Sequence, residues 1–261
     1  MVAPPDHDVL RAEALHYATC GTPVLAGVSL GVREGEILAV TGPRGSGKTT
    51  LLQCLSGRLV PDSGQVWFRS SPVHPLGAAA RERLRRESFG WIGTEPQLVP
   101  ELTGWENAAL PLLLRGTTPR AARAAALDWL ERLDAGDCAR GRPASLTQAQ
   151  RQRVALARAL AAQPSVLFAD DPTVRLHSAD RALVLRILTT AARSHEITVV
   201  LATHDTEVAA HADRRFALLD GHPAEAPAPG GTGARDGESE GEGPADGNDD
   251  TEGRTTCSLS V

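Results

Sequence analysis

No run of eighteen apolar residues occurs in this 261-residue chain, so nothing in it reads as a helical membrane span. The opening stretch, Met1-Val2-Ala3-Pro4-Pro5-Asp6-His7-Asp8, has neither a basic cluster nor an apolar segment, and no secretory signal is expected there. Cysteine is sparse. Cys20, Cys54, Cys138 and Cys257 are scattered without a C-x-x-C pair, which argues against a disulfide frame or a zinc site and for free thiols in a cytosolic protein. Cys257 stands fifth from the end, one place too early for a prenylation box. A positive excess is missing too. The net charge is −5, but residues 221–261 hold nine acidic and two basic residues, a balance of −7, which leaves +2 on residues 1–220. A body so close to neutral gives no case for nucleic acid as a partner. No internal repeat is visible.

Against these absences stands one dense motif. Gly42 to Thr49 read G-P-R-G-S-G-K-T and follow the apolar run Glu36-Ile37-Leu38-Ala39-Val40-Thr41. That is the phosphate-binding pattern G-x-x-x-x-G-K-[ST], set between a strand and a helix, where its chemistry requires it. The glycines let the backbone curl until several N–H groups converge on one anion. The helix that follows, Gly47-Lys48-Thr49-Thr50-Leu51-Leu52-Gln53, turns its positive end to the same point. Lys48 is expected at the β- and γ-phosphates and the Thr49 hydroxyl on Mg²⁺. The expected ligand is a nucleoside triphosphate.

The surrounding pattern is α/β. Apolar content of 41% and this length suffice for one large domain or two small ones. Strands are expected at Leu25–Val32, Glu36–Thr41, Gln65–Phe68, Ser88–Ile92, Val166–Ala169, Ile197–Ala202 and, as the last ordered element, Arg215–Leu219. Helices are expected at Leu76–Glu87 and Ala179–Arg193. Between about 100 and 162 the character changes to three helical patterns without a strand, Glu106–Leu114, Arg120–Asp134 and Gln148–Ala162. An α/β core interrupted by an all-helical insert follows. Residues 221–261, rich in Gly, Pro, Ala and acids, cannot bury enough apolar surface to order themselves. They read as a disordered tail or, alternatively, a partner-binding arm.

Two further strand ends carry chemistry. Val166-Leu167-Phe168-Ala169 runs into Asp170-Asp171-Pro172-Thr173, which puts two carboxylates at the ligand-binding edge of a parallel sheet. Asp170 is the candidate Mg²⁺ carboxylate, and Asp171 is placed to orient or deprotonate the attacking water. The strand Val199-Val200-Leu201-Ala202 ends in Thr203-His204-Asp205, where His204 is either a structural strand-end histidine or a donor to a γ-phosphate oxygen.

The order of these elements over residues 9–220 resembles the nucleotide-binding subunit of ATP-binding-cassette (ABC) transporters. The resemblance rests on the phosphate loop (Gly42, Pro43, Arg44, Gly45, Ser46, Gly47, Lys48, Thr49, then Thr50), on Asp170, and on His204 as the switch histidine. It rests also on Gln150-Arg151-Gln152-Arg153-Val154-Ala155-Leu156-Ala157-Arg158-Ala159-Leu160, the helix after the signature. Leu98-Val99-Pro100-Glu101-Leu102-Thr103 and Glu106-Asn107-Ala108-Ala109-Leu110-Pro111-Leu112-Leu113 are similar to the lipoprotein-release and macrolide-export branch. The resemblance implies a P-loop NTPase core with a mostly parallel sheet, an antiparallel N-terminal β part, and Tyr17 stacked on adenine (or else a packed surface tyrosine). It implies MgATP held at a dimer interface, homo- or heterodimeric, capped in trans by the signature segment Leu146, Thr147, Gln148, Ala149 and Gln150. The implied partner is a separate, FtsX-like membrane permease, reached through the Leu110–Leu113 region at the cytoplasmic face of the membrane.

Four positions depart from the family. Its signature reads L-S-G-G-Q, and here Gln148 and Ala149 bring side chains where close backbone approach is wanted. Thr94 stands in place of the glutamine that touches Mg²⁺ and water, with Gln97 as a neighbouring substitute. Asp171 replaces the general-base glutamate, one methylene shorter, and His177 replaces an aspartate in the loop after it. Nucleotide binding is expected intact and hydrolysis weakened, which leaves two readings: a transport ATPase, or a slowly hydrolysing half of an asymmetric dimer.

Overall fold

The computed structural model describes residues 8–224. In chain order the strands and helices are β1 (Asp8–Thr19), β2 (Thr22–Arg33), β3 (Ile37–Thr41), α1 (Lys48–Leu55), β4 (Ser63–Phe68), β5 (Ser71–Pro72), α2 (Ala78–Ser88) and β6 (Phe89–Ile92). Then follow α3 (Gly104–Leu114), α4 (Pro119–Arg132), α5 (Gln148–Ala161), β7 (Val166–Asp170), α6 (Ser178–Ser194), β8 (Thr198–Thr203), α7 (Thr206–Ala209), β9 (Arg214–Leu219) and β10 (His222–Ala224). A four-stranded antiparallel sheet has the order β2-β1-β4-β5, and a six-stranded sheet the order β10-β9-β3-β8-β7-β6. In the second sheet all neighbours pair in parallel except β10 with β9. The expected class is therefore the observed one.

Period-two alternation in the parallel strands assigns their side chains to two faces. Ile37, Leu167, Ala169, Val199 and Leu201 join one apolar cluster with the helical insert and α6. Leu38, Val40, Val166, Phe168, Val200 and Ala202 join a second cluster with α1 and the antiparallel sheet. Buried on both sides, these strands read as unbroken apolar runs, which is why they were legible as strands.

The first strand was not. Val9, Leu10, Ala12 and Leu15 are all buried, yet they do not alternate. Ala14 adopts a left-handed φ of 45°, and the β1–β2 pairing shifts register between Ala12 and Leu15. That bulge returns Leu15 to the buried face three residues after Ala12. The expected end of the ordered chain is also corrected. The segment expected to be tail from residue 221 begins inside the fold, because β10 pairs His222, Pro223 and Ala224 with Leu219, Leu218 and Ala217. Gly221 turns with φ 78°, its amide donates to the Ser46 carbonyl, and its own carbonyl accepts from the Ala26 amide. Those bonds are made by backbone, so a glycine- and proline-rich composition does not reveal them. The rest of the expected tail lies outside the described residues.

Within the insert, Thr103 and Glu106 form a capping box at the start of α3. Asn107, fully buried, accepts from the Val99 amide at 2.8 Å and donates to the carbonyls of Val99, Leu102 and Thr103 at 3.1 Å each. One amide thus ties the loop after β6 to the first helix of the insert. Cys20, Cys54 and Cys138 are free thiols, and burial pushes the Cys54 thiol up to about 12, which leaves it chemically inert.

Asn107→Ala strips these bonds and leaves the part-buried Val99 amide without its acceptor. A loss of about 2–3 kcal/mol is expected. A urea titration checks it, with the midpoint lowered and the slope unchanged.

Candidate nucleotide site

The phosphate loop is held in a shape that only glycine permits at two of its positions. Gly42 has φ 152°, and a Cβ there would lie 2.1 Å from the Leu218 carbonyl oxygen of β9. Gly47 has φ 97°, and its Cβ would lie 2.6 Å from the Val24 carbonyl oxygen of β2. The loop is therefore wedged between the two sheets. At Gly45 a Cβ would meet nothing, but its φ of 85° again favours glycine. Pro43, Arg44 and Gly45 are exposed at the loop's tip, Ser46 is buried, and Thr50 is half-buried on α1. Among the described residues, the amides of Gly45, Gly47, Lys48 and Thr49 donate to no acceptor of the chain. Orphan amides at a helix start are what a phosphate takes up.

Lys48 is 5% exposed. Its ammonium donates to the carbonyls of Gly42 at 2.9 Å and Pro43 at 2.6 Å. Burial holds it below the usual lysine range, against the opposing pull of Asp171 and Asp170. Such a cation, desolvated and resting on its own loop, gains by meeting an anion.

The sheet registers bring the other expected groups alongside. Thr41 pairs with Thr203 and Asp170 with Ala202, so the ends of β3, β8 and β7 are level. The first and third of these strands lie about 10 Å apart. α1 spans that gap, and the Thr49 hydroxyl donates to Asp170 Oδ1 at 3.0 Å. Burial pushes the Asp170 carboxyl above its ordinary range; the Thr49 hydrogen bond opposes this and the Asp171 charge adds to it. One hydroxyl and one carboxylate are a fitting pair for Mg²⁺, a hard cation that keeps most of its waters. Asp171 adopts a left-handed φ of 44° and donates its amide to the Ala202 carbonyl at 2.9 Å. Its Oδ1 lies 3.1 Å from His204 Nδ1, so these two groups are brought together, each partly exposed.

Tyr17 pairs across the hairpin with Leu25 and packs, partly buried, against the apolar cluster that contains Leu25. Leu146 to Gln150 are placed elsewhere, on the helical insert, with no hydrogen bond to the phosphate loop among the described residues. Thr147 caps α5, its hydroxyl oxygen accepting the Gln150 amide at 3.2 Å, while the Gln150 side chain accepts the Thr147 amide at 2.8 Å. Ala149 is buried in a small cluster with Leu176 and Val184. Of the two substituted signature positions, therefore, only Gln148 brings a side chain to the surface; Ala149 does not obstruct it.

The departures also find places. The Thr94 hydroxyl donates to the Asp170 carbonyl at 3.2 Å, whereas Gln97 is exposed, so Thr94 is the residue beside the carboxylates. His177 is exposed at the start of α6 and makes no side-chain cap. Sequence reasoning missed the Glu95–Arg175 ion pair, which links the loop after β6 to the loop after Asp171, and missed Arg58, which lies over Trp91. Both pairs are far apart in sequence, and no local pattern signals either.

Fold and loop together define a phosphate-loop nucleotide-binding domain. Residues 25–174 match the family model described as ABC transporter. A lipoprotein-releasing system ATP-binding protein, LolD 2 of Caulobacter vibrioides, is 40% identical over 77% of this chain and 88% of its own length. The ABC transporter ATP-binding protein YtrE of Bacillus subtilis is 39% identical over 76% of this chain and 86% of its own. Among solved structures, the dimeric ATP-binding cassette MJ0796 in a post-hydrolysis state with ADP and Pi superposes with a TM-score of 0.77. It is 30% identical and covers 83% of this chain and 97% of its own. The chain belongs to the ABC transporter family, as an ATP-binding subunit. Members of the family are ATPases, and among the described residues no helix is long and apolar enough to cross a membrane.

Because its folded-state carboxyl titrates above the unfolded value, a charged Asp170 destabilises the nucleotide-free protein. That cost is absent below the unfolded value and grows as pH rises through the folded one. Asp170→Asn is expected to raise the urea midpoint at neutral pH, with the gain shrinking in acid, while calorimetry shows MgATP binding lost.

Proposed function

We propose that this chain binds MgATP between two ATP-binding subunits, hydrolyses it slowly, and couples both events to a separate FtsX-like permease at the cytoplasmic face of a membrane. The observation that carries the reading is the convergence of Lys48, Thr49, Asp170, Asp171 and His204 at one sheet edge. The amides of Gly45, Gly47, Lys48 and Thr49, free of any acceptor of the chain, and the Lys48 ammonium take the β- and γ-phosphates, and Tyr17 stacks on the adenine. Thr49 and Asp170 hold Mg²⁺, which supplies charge neutralisation on the phosphate oxygens. Asp171 positions a water whose oxygen attacks the γ-phosphorus. The bond from that phosphorus to the β,γ-bridging oxygen breaks, ADP leaves with the electron pair, and Asp171 takes the water's proton. His204 holds Asp171 through Nδ1 and leaves Nε2 for the γ-phosphate.

Leu146 to Gln150 of one subunit close on the nucleotide of the other, with the α5 N-terminus facing the γ-phosphate. Gln148 weakens that closure by bulk. A shorter general base loses part of a contribution of about 10² to 10⁴ in rate. These same substitutions favour a second reading, in which the chain clamps ATP as the slow half of an asymmetric dimer.

Steady-state turnover of the purified chain, with Lys48→Ala as blank, separates the two. Turnover above the blank is expected, rising about tenfold in Asp171→Glu. Turnover equal to the blank, with MgATP heat retained, would leave only the clamp. Loss of that heat in the native chain would remove both.

A further inference from the structure

A groove of about 320 Å³ lies between α4 of the helical insert and α6, and it shares no lining residue with the phosphate loop. Small-molecule sites enclose about 300–1,000 Å³, so this volume is at their lower end. Sequence spacing builds both walls. Trp129, Arg132 and Leu133 fall three and four apart along α4 and its cap. On α6, Ile187 and Ala191 fall four apart, as do Arg186, Thr190 and Ser194. Residues so spaced share one helix face. The floor is apolar: Trp129, Leu133 and Ala191 are buried in one cluster, and Ile187 packs against it. The rim is made of cations and hydroxyls, and none of the lining side chains is a carboxylate.

The charges of the rim are not equivalent. Asp128 holds the Arg132 Nε at 2.9 Å, and the same guanidinium lies over Trp129 with Nη1 3.4 Å from His195 Nε2. Arg132 and His195 also stand at the ends of α4 and α6, where a cation offsets the exposed carbonyls. Both therefore have a structural use. Arg186 has neither of these. It makes no ion pair among the described residues. It sits two turns before the end of α6, beyond the reach of that helix end. Its helix neighbours three and four residues away, Ala182, Leu183, Thr189 and Thr190, carry no charge. With Asp128 set against Arg132, one positive charge remains, one turn from the Thr190 hydroxyl.

We propose that this groove binds a small aromatic carboxylate, its anionic group on Arg186 and Thr190 and its ring on the floor of Trp129, Ile187 and Ala191. A guanidinium meets a carboxylate through two parallel hydrogen bonds, and the Thr190 hydroxyl adds a third donor. Trp129 and His195 put two rings in the wall, with 5.0 Å between centroids. A flat rigid ligand suits such a wall better than an alkyl chain, which loses rotational freedom on binding. A nucleotide is disfavoured, since its several phosphate charges meet one uncompensated cation. The bound acid touches α4 and α6 together and so joins the insert to α6. The groove owes nothing to the nucleotide edge, so neither reading falls with the other.

Equilibrium dialysis of the full-length chain tests the site with three probes: 2-naphthoate, its uncharged twin 2-naphthamide, and octanoate. 2-Naphthoate is expected to bind about tenfold more tightly than either of the others. Arg186→Gln is expected to remove the advantage over 2-naphthamide, and Arg186→Lys to keep part of it. Ser194→Trp, which fills the groove from an exposed position, is expected to abolish binding of 2-naphthoate. Melting temperatures without probe check that each variant folds, and the three-probe comparison on the native chain decides by itself if one does not. Equal binding of 2-naphthoate and 2-naphthamide, or octanoate bound as tightly as 2-naphthoate, would overturn the inference. So would an advantage that survives Arg186→Gln, or binding intact in Ser194→Trp.

Discussion

Everything at the nucleotide edge depends on one steric constraint, the wedging of the phosphate loop between two backbone carbonyls. The Leu218 oxygen of β9 and the Val24 oxygen of β2 leave no room for a Cβ at Gly42 or Gly47. Both contacts come from strands distant in sequence, and both fix the direction in which α1 leaves the loop. With α1 so aimed, Thr49 reaches Asp170 across the intervening strand β8. Gly221 completes the clamp by bonding to the backbones of Ser46 and Ala26. The loop is thus a joint where the two sheets meet.

That joint is electrostatically unsettled. Lys48 and Asp170 are both buried, and burial drives each toward its neutral form. Neither meets an ideal partner within the chain: the lysine rests on two carbonyls and the aspartate on one hydroxyl. Such an arrangement costs stability and is kept where a ligand supplies the missing charges. A phosphate for the lysine and a divalent cation for the aspartate would relieve both.

The family's departures look different once placed in three dimensions. Ala149, which reads as an obstruction in the signature, turns its methyl inward against Leu176 and Val184, so only Gln148 alters the exposed surface. Thr94 donates its hydroxyl to the backbone carbonyl of Asp170. Asp171, though short, is held by His204 and by its own left-handed backbone. Asp171 is therefore fixed in place by both its side chain and its backbone.

Much of the fold was legible because its strands are buried on both faces and its insert helices are amphipathic or apolar throughout. Val166 to Ala169 and Val199 to Ala202 announce themselves by composition, and the phosphate loop by spacing. What escaped was whatever depends on a partner far along the chain. β1 hides its period behind the bulge at Ala14, and β10 is held by backbone bonds that any composition can make. The sequence by itself determined the chemistry of the edge: curled glycines, an ammonium, a hydroxyl and carboxylates at strand ends, since those are local properties of residue type and spacing. Only the tertiary structure decided which carboxylate meets Thr49, which signature side chain is buried, and that Arg58 and Trp91 stack in a cleft beside Asp170. Those outcomes depend on distances between segments that sequence order does not encode.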